Sequence, residues 1–137
     1  AAMAYARALE LEPAGARGYT NLGVACERLG RYQFAVEIYE HGTSSTLPDA
    51  GLLGNYAMLL YRAGQRERAH EVARAAAALD PNRPQVAAVL AAVSGEAITS
   101  GPLAAELSQP LNDLRFGVAR PLADLLAAVR AAAGSGS

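Results

Sequence analysis

Apolar residues recur at helical spacing in four successive blocks between Ala16 and Leu79. Tyr19, Leu22, Gly23 and Cys26 are spaced by three, one and three, which is one face of a helix over about 16–29. Ala35, Ile38 and Tyr39 mark a second helix from Tyr32 to about Thr46. Leu53, Tyr56, Ala57 and Leu60 mark a third, and Ala69, Val72, Ala73 and Ala76 a fourth that ends before Asp80-Pro81. Gly30 and Gly64 stand where a C-terminal glycine ends a helix, and Asp49 is placed to cap the third at its N-terminus. The small residues among larger ones, Gly23 and Ala35, mark where two antiparallel helices cross closely.

The blocks repeat with a period of 34 residues: Gly30 and Gly64, Ala35 and Ala69, Asn21 and Asn55, and Leu22 and Tyr56 are each 34 apart. Pro13 precedes Pro81 by two periods, whereas Pro48 lies one residue out of phase. A further first helix starts at Pro84 with Ala87, Leu90 and Ala91 in phase, and the pattern stops at Ser94-Gly95. Residues 99–133 do not continue it. Leu103, Leu107, Leu111 and Leu114 are split by Pro110 into two expected short helices. Arg120-Pro121 opens a last helix, striped by Leu122, Leu125, Leu126 and Val129.

This pattern resembles the tetratricopeptide repeat family. Tyr19, Leu22, Gly23, Gly30, Tyr32, Ala35 and Tyr39 carry it in one unit, and Leu53, Ala57, Gly64, Ala69 and Pro81 in the next. Tyr5, Ala8 and Pro13 look like the second helix of an earlier unit. The resemblance implies an all-α, right-handed α-solenoid of helix-turn-helix repeats with a helical C-terminal cap. The expected array runs over 1–98, as a half-unit 1–15, units 16–49 and 50–83, and a half-unit 84–98. Residues 99–133 form a leucine-rich helical tail that covers the open end of the array, as a solenoid requires. Residues 134–137, Gly-Ser-Gly-Ser, read as a flexible tail. Gly42, where the family usually has Ala, and the loose "GTSSTLPD" depart from the pattern.

In that family the first helix of each unit lines a groove that binds peptides or proteins. The face beside the core stripe offers Arg17, Thr20, Asn21, Val24 and Arg28 on the first helix, Asn55, Met58 and Arg62 on the next, and Gln85 and Val89 on the third. A side-chain amide both donates and accepts, so Asn21 and Asn55 are suited to a peptide backbone. Val24, Met58 and Val89 supply an apolar middle, and Met adapts to varied partners. Arg17, Arg28 and Arg62 are suited to carboxylates. Gln85 and Val89 stand where a three-unit basic clamp for a C-terminal carboxylate would want cations, so a clamp of that type is not expected.

Composition narrows the chemistry. All 12 basic residues are Arg, so a phosphate-binding loop with its Lys and Schiff-base catalysis are excluded. A net charge of −1 gives no broad footprint for nucleic acid. The longest apolar run, Val86–Val93, cannot span a bilayer. The polar side of the last helix carries Asp124 and Arg130 alone as charges, which does not suit an anionic membrane surface. The single cysteine, Cys26, cannot form an internal disulfide and falls on the packed stripe as an inert thiol. His41 and His70 lie on equivalent outer helices and read as solvated residues rather than metal ligands. No catalytic motif is present, so no catalytic residue, cofactor or metal is expected.

The expected function is therefore a non-catalytic scaffold or adaptor with a protein or peptide partner. The resemblance suggests bacterial secretion, pilus or envelope assembly, in the cytoplasm or periplasm. The alternatives are a homo-oligomer assembled through the open N-terminal face or residues 99–133, and the regulatory end of a larger enzyme. The chain starts without Met, so a segment upstream is expected.

Overall fold

The computed structural model describes residues 4, 6, 7, 15–95, 102–118 and 120–134. Most of the expected half-unit 1–15, including Tyr5, Ala8 and Pro13, lies outside the described residues, as do residues 96–101. From residue 16 onward the described residues form, in order, the helices α1 (Ala16–Arg28), α2 (Tyr32–Ser45), α3 (Ala50–Arg62), α4 (Arg66–Leu79), α5 (Pro84–Val93), α6 (Pro102–Leu107) and α7 (Leu122–Gly134). The chain is all-α over the described residues, and neighbouring helices pair as those of a helical repeat do. The first, third and fifth begin at Ala16, Ala50 and Pro84, which keeps the period of 34.

Identical chemistry ends α1 and α3. Gly30 has φ 74° and Gly64 φ 84°, the left-handed region that glycine enters without steric cost. Arg31 N donates to Cys26 O and Gly30 N to Glu27 O; one period later Gln65 N donates to Leu60 O and Gly64 N to Tyr61 O. These are the paired bonds of a glycine-ended helix, and they turn the chain back within three residues. At the start of α3, Asp49 accepts from Leu52 N at 2.9 Å, as its capping position predicts.

The chain divides into two compact units, Ala1–Leu47 with Arg115–Ser137, and Pro48–Leu114. In the first unit α1 and α2 pack face to face, and α7 packs on α2. Residues 35–39 of α2 are all buried. One neighbour cannot cover five consecutive residues of a helix, because they point all round its axis. With α1 and α7 both against α2, they are covered. α7 contributes Leu125, Leu126 and Val129, all buried, from the stripe its sequence predicts. Its first turn starts with Leu125 N donating to Pro121 O.

In the second unit α3 packs on both α4 and α5, and α4 on α5. Tyr56–Leu60 of α3 are buried on every side for the same reason as residues 35–39. The buried face of α4 is all alanine, Ala69, Ala73 and Ala76, so the helices approach closely. The short α6 lies on α3 and α5. The second short helix expected after Pro110 does not form. Proline supplies no N–H there, Asp113 takes φ 64°, and Gly117 takes φ 70°. The N–H groups of Leu111, Arg115 and Gly117 bond to other parts of the chain instead. The expected tail 99–133 is thus divided, with α6 in the second unit and α7 in the first.

The tightest contact of the first unit is at Gly23. A β-carbon there would lie 2.6 Å from Cζ of Tyr39, whose ring is fully buried and cannot move aside. Gly23→Ala is therefore expected to lower stability by about 1–3 kcal/mol, although alanine favours a helix over glycine by roughly 1 kcal/mol. Urea unfolding measures this, and unchanged or increased stability would refute the packing described.

Candidate functional site

The first candidate surface lies on α1. Arg17, Asn21 and Arg28 are exposed, and Thr20 and Val24 are half-buried. The opposite side of the same helix carries Tyr19, Leu22, Gly23 and Cys26, all buried. The close approach to Tyr39 fixes which side faces inward and so which side is left to solvent. The Thr20 hydroxyl donates back to Ala16 O at 3.0 Å, so it serves its own helix. Arg28 sits in the last turn, where a cation suits the helix dipole. Burial pushes the Cys26 thiol up to about 11, with Glu27 adding to the shift, so it is protonated at neutral pH.

The five candidate residues of the second unit are not an open stripe. Asn55 Nδ2 donates to Gly51 O at 2.9 Å, and its Oδ1 accepts from Gln85 Nε2 at 2.9 Å. Two residues expected to meet a ligand thus link α3 to α5. Met58 and Val89 are buried. Arg62 Nε donates to Gln109 O at 3.2 Å, and Arg62 O accepts from Leu111 N at 2.9 Å. Arg62, which the sequence assigns to a partner, is thus engaged by the main chain of residues 109 and 111. Leu107 is buried beneath α6. The repeat period makes Asn21 and Asn55 equivalent in sequence, yet Asn21 is exposed and Asn55 is engaged.

Sequence reasoning missed a polar stripe on α2. Gln33, Glu37, Glu40 and His41 are spaced by four, three and one, and so share a face. Together they hold the main chain of Arg115, Gly117 and Arg120 against α2. Gln33 treats Arg115 as a strand neighbour would, accepting from its N–H at 2.8 Å and donating to its carbonyl at 3.0 Å. Glu40 accepts from Gly117 N with both carboxylate oxygens, at 3.2 and 3.0 Å. His41 Nε2 lies 2.6 Å from Arg120 O, a contact that assigns the proton to Nε2. His41 is half-buried and bonded, which corrects the expectation of a solvated histidine.

Glu37 is the centre of this stripe. Its side chain is 3% exposed, and Arg120 Nε lies 3.1 Å from Oε1. Arg120 Nη2 and Gln33 Nε2 both donate to Oε2 at 3.4 Å. A buried carboxylate is costly unless a cation and donors meet it, and here Arg120 supplies the cation, while Arg120 and Gln33 both donate to Oε2. The four-residue polar spacing was visible in the sequence, but its partners lie some 80 positions downstream. Among the described residues no group of three His, Cys, Asp or Glu could hold a metal ion. No described helix is long and apolar enough to cross a membrane.

Residues 16–46, the α1–α2 pair, match the family model of the tetratricopeptide repeat. Comparison with curated proteins and with solved structures gave no match.

Arg120→Ala would leave Glu37 buried without its cation. Loss of one partner from a fully buried pair costs about 3–5 kcal/mol. Arg120 is 31% exposed, so solvent screens the pair, and a loss of about 1–3 kcal/mol is expected. Backbone amides of α7 should then exchange with deuterium faster than in the wild type. Unchanged stability and unchanged exchange would show that the pair does not anchor residues 115–120.

Proposed function

We propose, from the match of residues 16–46 to the tetratricopeptide repeat model, that the chain is a non-catalytic adaptor that binds a segment of a partner protein through the α1 face. Tetratricopeptide repeats generally mediate protein–protein interaction and are typically non-catalytic scaffolds. The observation that carries the reading is the contrast between the two candidate surfaces. Arg17, Asn21 and Arg28 are exposed on α1, whereas their counterparts Asn55 and Arg62 are already bonded within the chain. The Asn21 amide supplies a donor and an acceptor for a peptide backbone. Arg17 and Arg28 flank it and favour carboxylates, which makes an acidic extended or helical segment the preferred ligand. Val24 between them adds apolar contact. A setting in bacterial secretion, pilus or envelope assembly, cytoplasmic or periplasmic, is proposed from the family resemblance.

The test is capture from a lysate of the source cells, followed by titration of the captured protein. Asn21→Ala/Arg28→Ala touches no buried residue, so helicity by circular dichroism should not change. Loss of one hydrogen bond to a charged group is worth about 1.5–3 kcal/mol, so affinity should fall roughly ten-fold or more. Equal affinity of wild type and variant would exclude the α1 face as the binding surface.

A further inference from the structure

The first unit is discontinuous in sequence. Ala1–Leu47 are completed by the arm Arg115–Ser137, and the whole of the second unit lies between them along the chain. The bonds from α2 to the arm all fall inside this unit: Gln33 to Arg115, Glu40 to Gly117, and Glu37 and His41 to Arg120. α7, which packs on α2, adds the buried Leu125, Leu126 and Val129. The match is specific, because the buried Glu37 carboxylate requires a cation and the arm brings one. None of these contacts depends on which copy of the chain supplies the arm.

The crossing back into the first unit is short. Leu111 N is bonded to Arg62 O in the second unit, and Arg115 N to Gln33 in the first. Residues 112–114 therefore make the crossing. Asp113, at its centre, takes φ 64°, the left-handed region in which a side chain is strained. A short segment under strain favours exchange of the element beyond it between copies, because the opened segment releases the strain while every other contact is remade.

We propose that two copies of this chain exchange residues 115–134, each arm seating on α2 of the other copy, with residues 112–114 as the hinge. The exchange is reciprocal, so the dimer closes on a two-fold axis. α1 and its exposed Arg17, Asn21 and Arg28 are unchanged by it. The dimer presents that face twice, and a partner with two binding segments gains avidity. The inference goes beyond the adaptor reading and stands without it.

Charge reversal tests it on the full chain. Glu37→Arg and Arg120→Glu each place like charges at the pair. When the two variants are refolded together from urea, exchange seats the arm of each on α2 of the other and restores opposite charges at both pairs, which no single chain can do. Light scattering after size exclusion should show the mixture dimerising at least about ten-fold more tightly than either variant alone. The double variant on one chain should match the wild type, whose dimer fraction rises with concentration. A mixture that stays monomeric, or a dimer whose strength is the same before and after mixing, would overturn the proposal. If Glu37→Arg loses helicity, cross-linking decides. Chains carrying Gln33→Cys and chains carrying Arg115→Cys are refolded together and treated with a short bismaleimide; the native Cys26 is buried. A product of twice the chain mass on a denaturing gel, from the mixture and from neither chain alone, is expected, and its absence would overturn the exchange. Asn21→Ala/Arg28→Ala leaves the arm untouched, so failure of the exchange and failure of the adaptor reading are read separately.

Discussion

Tyr39 occupies the space that a side chain at position 23 would need. That single exclusion sets the first unit. With glycine at 23, the Tyr39 ring buries itself against α1, and its hydroxyl bonds to Glu27 on the same helix. Tyr19, Leu22 and Cys26 are then turned into the core. Arg17, Asn21 and Arg28, on the other side of a helix of 3.6 residues per turn, are turned out. The surface on which we base the adaptor reading is a consequence of where one tyrosine ring fits. The glycine-ended turn at Gly30 supplies the other half of the constraint, because only a chain reversal within three residues can bring Tyr39 back to Gly23.

The protein uses its helix faces in two chemically different ways. On α2, polar side chains bind the main chain of a downstream segment, with Gln33 satisfying both backbone groups of Arg115 and Glu40 satisfying Gly117. The ion pair between Glu37 and Arg120 then supplies the charge match that an otherwise buried carboxylate requires. On α3 and α5, an apolar surface accepts a leucine, and a single arginine reads the main chain beyond it. In both places the chain is held by contacts to its backbone as well as by a particular side chain, Arg120 in one and Leu107 in the other. Contacts to the backbone tolerate sequence variation, which suits surfaces whose chemistry can also serve a partner.

The local elements were legible in the sequence because each has a local cause. The period of 34 residues, the glycines at its turns, the Asp49 cap and the proline at the start of α5 all act within a few residues of themselves. The buried state of Cys26 followed from its place on the stripe. What the sequence hid has long-range causes. Asn55 matches Asn21 in register, and only the position of Gln85 across the helix pair separates their roles. Met58 and Val89 read as a groove because nothing in the repeat announces that they are buried. Pro110 predicted an interruption, but not that the following stretch would be held open by bonds to distant helices. Nothing local marks Glu37 for burial, because its partner Arg120 lies 83 positions away.

The measurement that bears most directly on this account is chemical-shift mapping on the isotopically labelled full chain as a captured partner segment is added. The account predicts that the first amides to shift are those of Arg17, Thr20, Asn21, Val24 and Arg28, with those of Gln33, Glu37 and residues 115–120 unmoved. Shifts that begin in the α2 stripe and α7 while α1 stays silent would contradict it, and would place the binding surface where α2 now holds the main chain of Arg115, Gly117 and Arg120.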